Sequence, residues 1–218
     1  TSRGVLRQKE TWFLFLTDGN KTGVGECGLY RGLSSDDKPD YEDQLKFLCQ
    51  RINQNEMLSV ESLQCFPSIQ MGYETALLSL KSEDPFQLFP SPFTRGVDKI
   101  PINGLVWMGD RSYMKTQIEE KIAQGFDCIK LKIGALDFNE EYSLLEEIRN
   151  NYSTEKIMLR VDANGAFAPE GVMDKLQSLS NLEIHSIEQP IASGQAEAMR
   201  ELCINSPIPI ALDEELIG

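Results

Sequence analysis

The chain has 218 residues, 34 of them acidic against 21 basic, for a formal net charge of −13; that length is ample for a packed core, and the charge argues against nucleic-acid binding because no Lys/Arg block offsets repulsion from phosphates. The five cysteines, Cys27, Cys49, Cys65, Cys128 and Cys203, are odd in number and irregularly spaced, which argues against a disulfide framework or a zinc site and suits a reducing cytoplasm. No apolar run approaches a membrane span, and the start at Thr1 carries neither a charged n-region nor an apolar h-region.

Residues 10–20 (ETWFLFLTDGN) are rich in β-formers and run through Asp18-Gly19-Asn20 into 21–30 (KTGVGECGLY), which predicts a hairpin around a Gly turn. Gly23, Gly25, Gly28 and Gly32 make the following stretch read as flexible, ending in turn formers Ser34, Ser35 and Asp36, so a mobile loop and a plain connector are both open. Segments 41–53 and 69–81 have helical periods, carried by Leu45, Leu48, Cys49 and Ile52 and by Met71, Ala76, Leu77 and Leu80. A hairpin followed by helices predicts an α+β capping domain over 1–96. Its linker falls in 82–96, where Pro85, Pro90 and Pro92 interrupt any period.

From residue 97 the pattern changes to alternating strand and helix, the mark of βαβ units. Strands are expected at 101–107, 128–134, 157–163, 184–189 and 208–214, and helices at about 112–124, 138–150, 169–180 and 195–204. The fold class is therefore α/β, a (β/α) barrel begun over 97–218. Five strands do not close such a barrel, so the barrel is expected to be incomplete within 1–218, with further units outside it and, since Thr1 is not an initiator Met, residues upstream.

The strand 128–134 (CIKLKIG) places Lys130 and Lys132 on one face and Ile129, Leu131 and Ile133 on the other. Three later strands each end in a carboxylate, at Asp162, Glu188 and Asp213, and the steps from Lys132 are 30, 26 and 25 residues, each about one strand-plus-helix unit. Each acid alone reads more readily as a helix N-cap or a surface group. Three at successive strand ends point to one rim of a barrel, where a hard divalent cation, Mg²⁺ or Mn²⁺, relieves their repulsion. Paired lysines also blunt edge strands, but a strand inside a βαβ series is buried on both faces. Two ammoniums there are expected to lower a lysine pKa toward neutrality and supply a base.

Together, Lys130-Leu131-Lys132, Asp162-Ala163-Asn164, Glu188-Gln189-Pro190 and Asp213-Glu214 resemble the enolase superfamily, in its muconate-lactonizing-enzyme branch. Segments 1–4 (TSRG) and 102–109 (INGLVWMG) are most similar to the o-succinylbenzoate synthase family of that branch. The resemblance implies a (β/α) barrel of the enolase type with an N-terminal α+β cap. It makes Asp162, Glu188 and Asp213 the Mg²⁺ ligands, Lys132 the acid/base and Lys130 its electrostatic neighbour. Asn164 and Glu214 are implied as orienting groups. The implied chemistry is a Mg²⁺-dependent syn dehydration of a succinyl-hydroxy-cyclohexadiene carboxylate in menaquinone biosynthesis, through an enediolate. The same base and metal also serve N-succinylamino acid racemases and dipeptide epimerases, and a non-catalytic metal-binding relative is a further alternative.

Arg160 lies two residues before Asp162 on the same strand face, so it and Asn164 are candidates for contact with an anionic substrate, with a structural pairing inside the barrel equally open for Arg160. His185 is out of phase with Glu188 and is expected to face the helices as a structural histidine. Trp107, at a strand end, suits either a pocket wall or an aromatic packing under the cap. The expected partner is a small carboxylate substrate, with no nucleic acid or membrane and with self-association left open.

Overall fold

A computed structural model describes residues 7–217; the 1–4 segment that carried part of the resemblance lies outside them. The chain divides into two compact units, the first ending at Ile100 and the second spanning Pro101–Ile217.

In the first unit, β1 (Glu10–Thr17) and β2 (Thr22–Leu29) form the expected antiparallel hairpin, closing on the pair Thr17 and Thr22. Asp18 tightens the turn by accepting the N–H groups of Asn20 and Lys21, both at 2.8 Å. Two helices follow, α1 (Tyr41–Asn53) and α2 (Pro67–Lys81), the second starting with Pro at its first turn. Leu14, Leu16, Cys27, Leu29, Leu48, Ile69 and Tyr73 make the core of this unit.

The glycines are not the flexible stretch that composition suggested. Gly23 and Gly25 lie within β2, and a Cβ on Gly25 would fall 1.8 Å from the Gly72 carbonyl oxygen of α2, one on Gly23 2.2 Å from that of Ala76. They are small because strand and helix backbones touch there. The segment beyond is pinned as well. Arg31 pairs with Glu10 and Asp37, and Asp37 accepts the Gly32 N–H at 2.6 Å.

The second unit contains β3 (Gly104–Val106), α3 (Arg111–Ala123), β4 (Cys128–Lys132), α4 (Phe138–Asn151), β5 (Met158–Asp162), α5 (Val172–Ser180), β6 (Ser186–Glu188), α6 (Ala196–Asn205) and β7 (Ile210–Ala211). The strands form one parallel sheet in the order β3-β4-β5-β6-β7. Because spatial order follows chain order without reversal, right-handed crossovers put every connecting helix on the same face. That is the winding of a barrel wall, as expected, and not of a doubly wound sheet. Burial agrees: Ile129, Leu131, Leu159, Val161 and Ile187 are buried with Met114, Ile118, Leu144, Ile148, Leu176 and Met199 of the helices. Two starts are set by aspartate caps, Asp110 accepting from the Tyr113 N–H and Asp137 from the Asn139 N–H, each at 2.9 Å. The two outer strands are shorter than their expected spans of 101–107 and 208–214.

Candidate active site

With the apolar side chains of β4, β5 and β6 committed to the helices, alternation turns Lys130, Lys132, Arg160, Asp162 and Glu188 to the opposite face. Parallel register then stacks them in two rungs: Lys132, Asp162 and Glu188 are mutual partners across three strands, and Lys130, Arg160 and Ser186 form the rung below. The upper rung sits at the C-terminal ends of the strands, the rim where barrel chemistry resides.

The charges interlock. Lys132 Nζ donates to Asp162 Oδ2 at 2.6 Å and to Asn164 Oδ1 at 2.8 Å. Lys130 reaches up from the lower rung to Glu188 Oε2 at 2.7 Å and to the same Asp162 oxygen at 3.1 Å. Two ammoniums and two carboxylates thus balance, which is what allows Asp162 to be wholly buried. Burial alone would raise the Asp162 pKa, but the hydrogen bonds from Lys132 and Lys130 outweigh it and hold the carboxyl below its ordinary range. Glu188 goes the other way: burial and the neighbouring Asp162 carboxylate push it up, against the pull of Lys130.

Lys130 departs from expectation. Mutual repulsion of the lysines was expected to lower a pKa, and burial does act in that direction, but hydrogen bonds to Glu188 and Asp162 prevail and raise it. Each lysine lies within 2.7 Å of a carboxylate oxygen, and residue spacing along one strand does not show that.

Asn164 adopts a left-handed backbone, φ 44°. Its N–H donates to Asp162 Oδ1 at 3.0 Å and its Nδ2 to Glu214 Oε1 at 3.2 Å. The side-chain amide therefore links Lys132 to Glu214, while the backbone N–H of the same residue holds Asp162. Arg160 is half-buried, and its Nε, screened from solvent, has no hydrogen-bond partner among the described residues.

Asp213 does not join the group. Among the described residues no three His, Cys, Asp or Glu side chains stand close enough to hold one ion. Register gives the reason, because Ala211 is the residue paired with Glu188. Asp213 is two residues further along, about 6–7 Å at the rise of a strand, and β7 has ended by then. Its side chain is exposed and its backbone (φ −129°, ψ −78°) has left the strand region. Asp162 and Glu188, adjacent and all-oxygen, fit a hard divalent cation; the complete trio expected from spacing is not assembled.

Two buried polar residues carry roles that residue spacing did not assign. Glu141 of α4 is 3% exposed and accepts the backbone N–H groups of Gly134, Ala135 and Leu136, at 2.8–3.1 Å, thereby holding the loop that follows Lys132. Its signal was a carboxylate at a buried position of the period Glu141, Leu144, Leu145, Ile148. Gln189 is completely buried beyond β6, a polar residue in the apolar alternation Ile187, Gln189, Ile191. His185, by contrast, is exposed, with Nδ1 3.0 Å from Ser186 Oγ. Trp107 is 41% exposed, and its backbone N–H and C=O are both held by the Gln117 amide at 3.0 Å.

Comparison with known proteins places these features in context. Residues 113–218 match the family model described as "Enolase C-terminal domain-like". An o-succinylbenzoate synthase from Desulfotalea psychrophila is 41% identical over an alignment of 249 residues that covers 100% of this chain and 68% of that protein. The crystal structure of MenC from the same organism superposes with a TM-score of 0.78 at 39% identity, covering 96% of this chain and 67% of the other. The o-succinylbenzoate synthase of Thermosynechococcus elongatus, solved with Mg in its active site, superposes with a TM-score of 0.74 at 25% identity, covering 98% of this chain and 63% of the other. The chain thus spans about two thirds of the length of these relatives.

Proposed function

The chain belongs to the o-succinylbenzoate synthase family of the enolase superfamily, and from that premise we propose that it carries the base and metal-binding portion of a dehydratase acting on a succinyl-hydroxy-cyclohexadiene carboxylate. The observation that carries the reading is the rung Lys132–Asp162–Glu188, which sets an amine on a rigid strand beside two carboxylates at a barrel rim. Asp162 and Glu188, with Asp213, would hold Mg²⁺, in keeping with the metal in the Thermosynechococcus enzyme. When bound, the ion supplies Lewis-acid stabilisation of charge developing on the substrate carboxylate.

Lys132, as the neutral amine, takes the proton α to the substrate carboxylate. The resulting ammonium gives it to the departing hydroxyl on the same face, so that water leaves and the ring becomes aromatic. Hydrogen bonds to Asp162 and Asn164 fix the direction of its Nζ throughout. Lys130 keeps Glu188 and Asp162 compensated, and the unpartnered Arg160 Nε is a donor for an anionic group of the substrate. A reducing cytoplasm suits the five cysteines, all of them free thiols; among the described residues no helix is long and apolar enough to cross a membrane.

Incubating the full-length protein and Mg²⁺ with the cyclohexadiene carboxylate tests the reading by absorbance of the aromatic product. Turnover is expected. Exchange of the α-proton of N-succinylamino acids or dipeptides in D₂O, without dehydration, would instead favour a racemase or epimerase.

A further inference from the structure

The loops after β5, β6 and β7 are tied together at one residue, by its backbone and its side chain. The N–H of Gln189 donates to Ala211 O at 2.9 Å, and its C=O accepts from the Gly165 N–H at 2.7 Å. Its side-chain Oε1 accepts from the N–H groups of Asp213 and Glu215, at 3.1 and 3.4 Å, while Nε2 donates to Ile191 O at 3.0 Å. The side chain is completely buried, and the backbone is left-handed at φ 41°, a conformation that non-glycine residues hold only where the surroundings enforce it.

The location explains the device. β7 ends at Ala211, so the N–H groups of Asp213 and Glu215 lie beyond the ladder that would otherwise engage them. The Gln189 amide takes the place of a strand partner there, and it hangs from the residue next to Glu188. We propose that Gln189 is a positioning residue that fixes the 213–215 segment against the end of β6 and thereby sets where the Asp213 carboxylate stands relative to Asp162 and Glu188. The inference rests on the reading of Asp213 as a metal ligand. It makes a neutral buried amide a determinant of metal affinity although it has no charge to offer the ion.

The test uses the full-length protein without substrate, with Mn²⁺ as the probe and its affinity read by paramagnetic resonance. Gln189→Met keeps length and removes every side-chain hydrogen bond; it is expected to weaken Mn²⁺ about tenfold, the scale seen for residues that orient ligands. In an Asp213→Asn background the same change is expected to cost nothing more, since Gln189 acts through Asp213. Gln189→Glu, which retains acceptors for the two N–H groups but loses the donor to Ile191 O, is expected to lose less Mn²⁺ affinity than Gln189→Met. Wild-type affinity in Gln189→Met, or an undiminished loss in the double variant, overturns the proposal. Should Asp213→Asn bind Mn²⁺ as wild type does while Asp162→Asn does not, the ligand reading of Asp213 itself fails, a result distinct from failure of the Gln189 link alone. If Gln189→Met does not fold, hydrogen exchange of the wild-type 212–216 peptide decides: slow exchange supports the clamp and exchange at the rate of a free loop overturns it.

Discussion

Lys132 Nζ and Asp162 Oδ2 lie 2.6 Å apart, so the amine proposed as base and a carboxylate proposed as metal ligand share a hydrogen bond. The pair occurs because strands β4 and β5 are in parallel register at those two residues. It joins two functions that residue chemistry alone would keep separate. Removing the Asp162 carboxylate takes away one of the two hydrogen bonds that hold Lys132, the other going to Asn164, and loss of Lys132 removes one of the two lysines that compensate a buried carboxylate.

Lys132→Ala is expected to lower turnover by about 10³-fold or more, the range of a lost acid/base group. The fold should persist, because Lys130 stays 3.1 Å from Asp162. Circular dichroism and a thermal melt check the second point, and near wild-type activity in a folded variant would show that Lys132 is not the base.

Asp162→Asn, Glu188→Gln and Asp213→Asn should each weaken Mg²⁺, because each removes one formal negative charge from the proposed ligand set. Asp162→Asn is expected to cost stability as well, since it alone of the three is fully buried between two lysines. Titration calorimetry with Mg²⁺ and a denaturant melt separate the two effects.

Acid should undo this arrangement in a defined order of sign. The Asp162 pKa is depressed on folding, so its contribution is present above the unfolded carboxylate range and is lost as pH falls through the folded value. Glu188 is raised, so its ionised form opposes folding near neutrality and that cost is relieved on acidification. Stability measured from pH 7 downward in wild type and Asp162→Asn should therefore diverge, with the steeper acid loss in wild type; parallel curves would mean that Asp162 is not held ionised by the lysines.

Gly25→Ala would put a Cβ 1.8 Å from a backbone oxygen of α2, where no side-chain rotation relieves the clash. Overpacking of this kind costs roughly 1–3 kcal/mol or more. A thermal melt should show the loss, and unchanged stability would mean that β2 and α2 are not in backbone contact.

Cys27 is completely buried, and burial pushes its thiol up to about 11, with the same cause raising Tyr41 to about 12. Both are acids whose neutral form is favoured by folding, so stability should be retained below pH 9 and lost as pH rises from there through 11 to 12. At neutral pH a thiol reagent should modify exposed Cys49, Cys65 and Cys203 and spare Cys27 until the protein is unfolded.

Much of the site was legible along the chain because it depends on period and order. Alternation in CIKLKIG turned both lysines to one face, and carboxylates spaced by one βα unit ended up on adjacent strands, as for Asp162 and Glu188. The parallel barrel-type wall follows from the same strand-helix alternation. Hidden from such reading was everything that depends on how separate segments meet. Register between β6 and β7 paired Ala211 with Glu188 and set Asp213 two residues beyond that rung. The distances between charges raised the Lys130 pKa although the neighbouring ammonium suggested the reverse. Gly25 looked like flexibility and proved to be contact, while Gln189 and Glu141, unremarkable as letters, hold the loops that carry the chemistry. Side-chain direction within an element is set by local backbone geometry, which the residue pattern records. Pairing register, charge separation and backbone approach are set by packing between elements, and only the tertiary structure decides them.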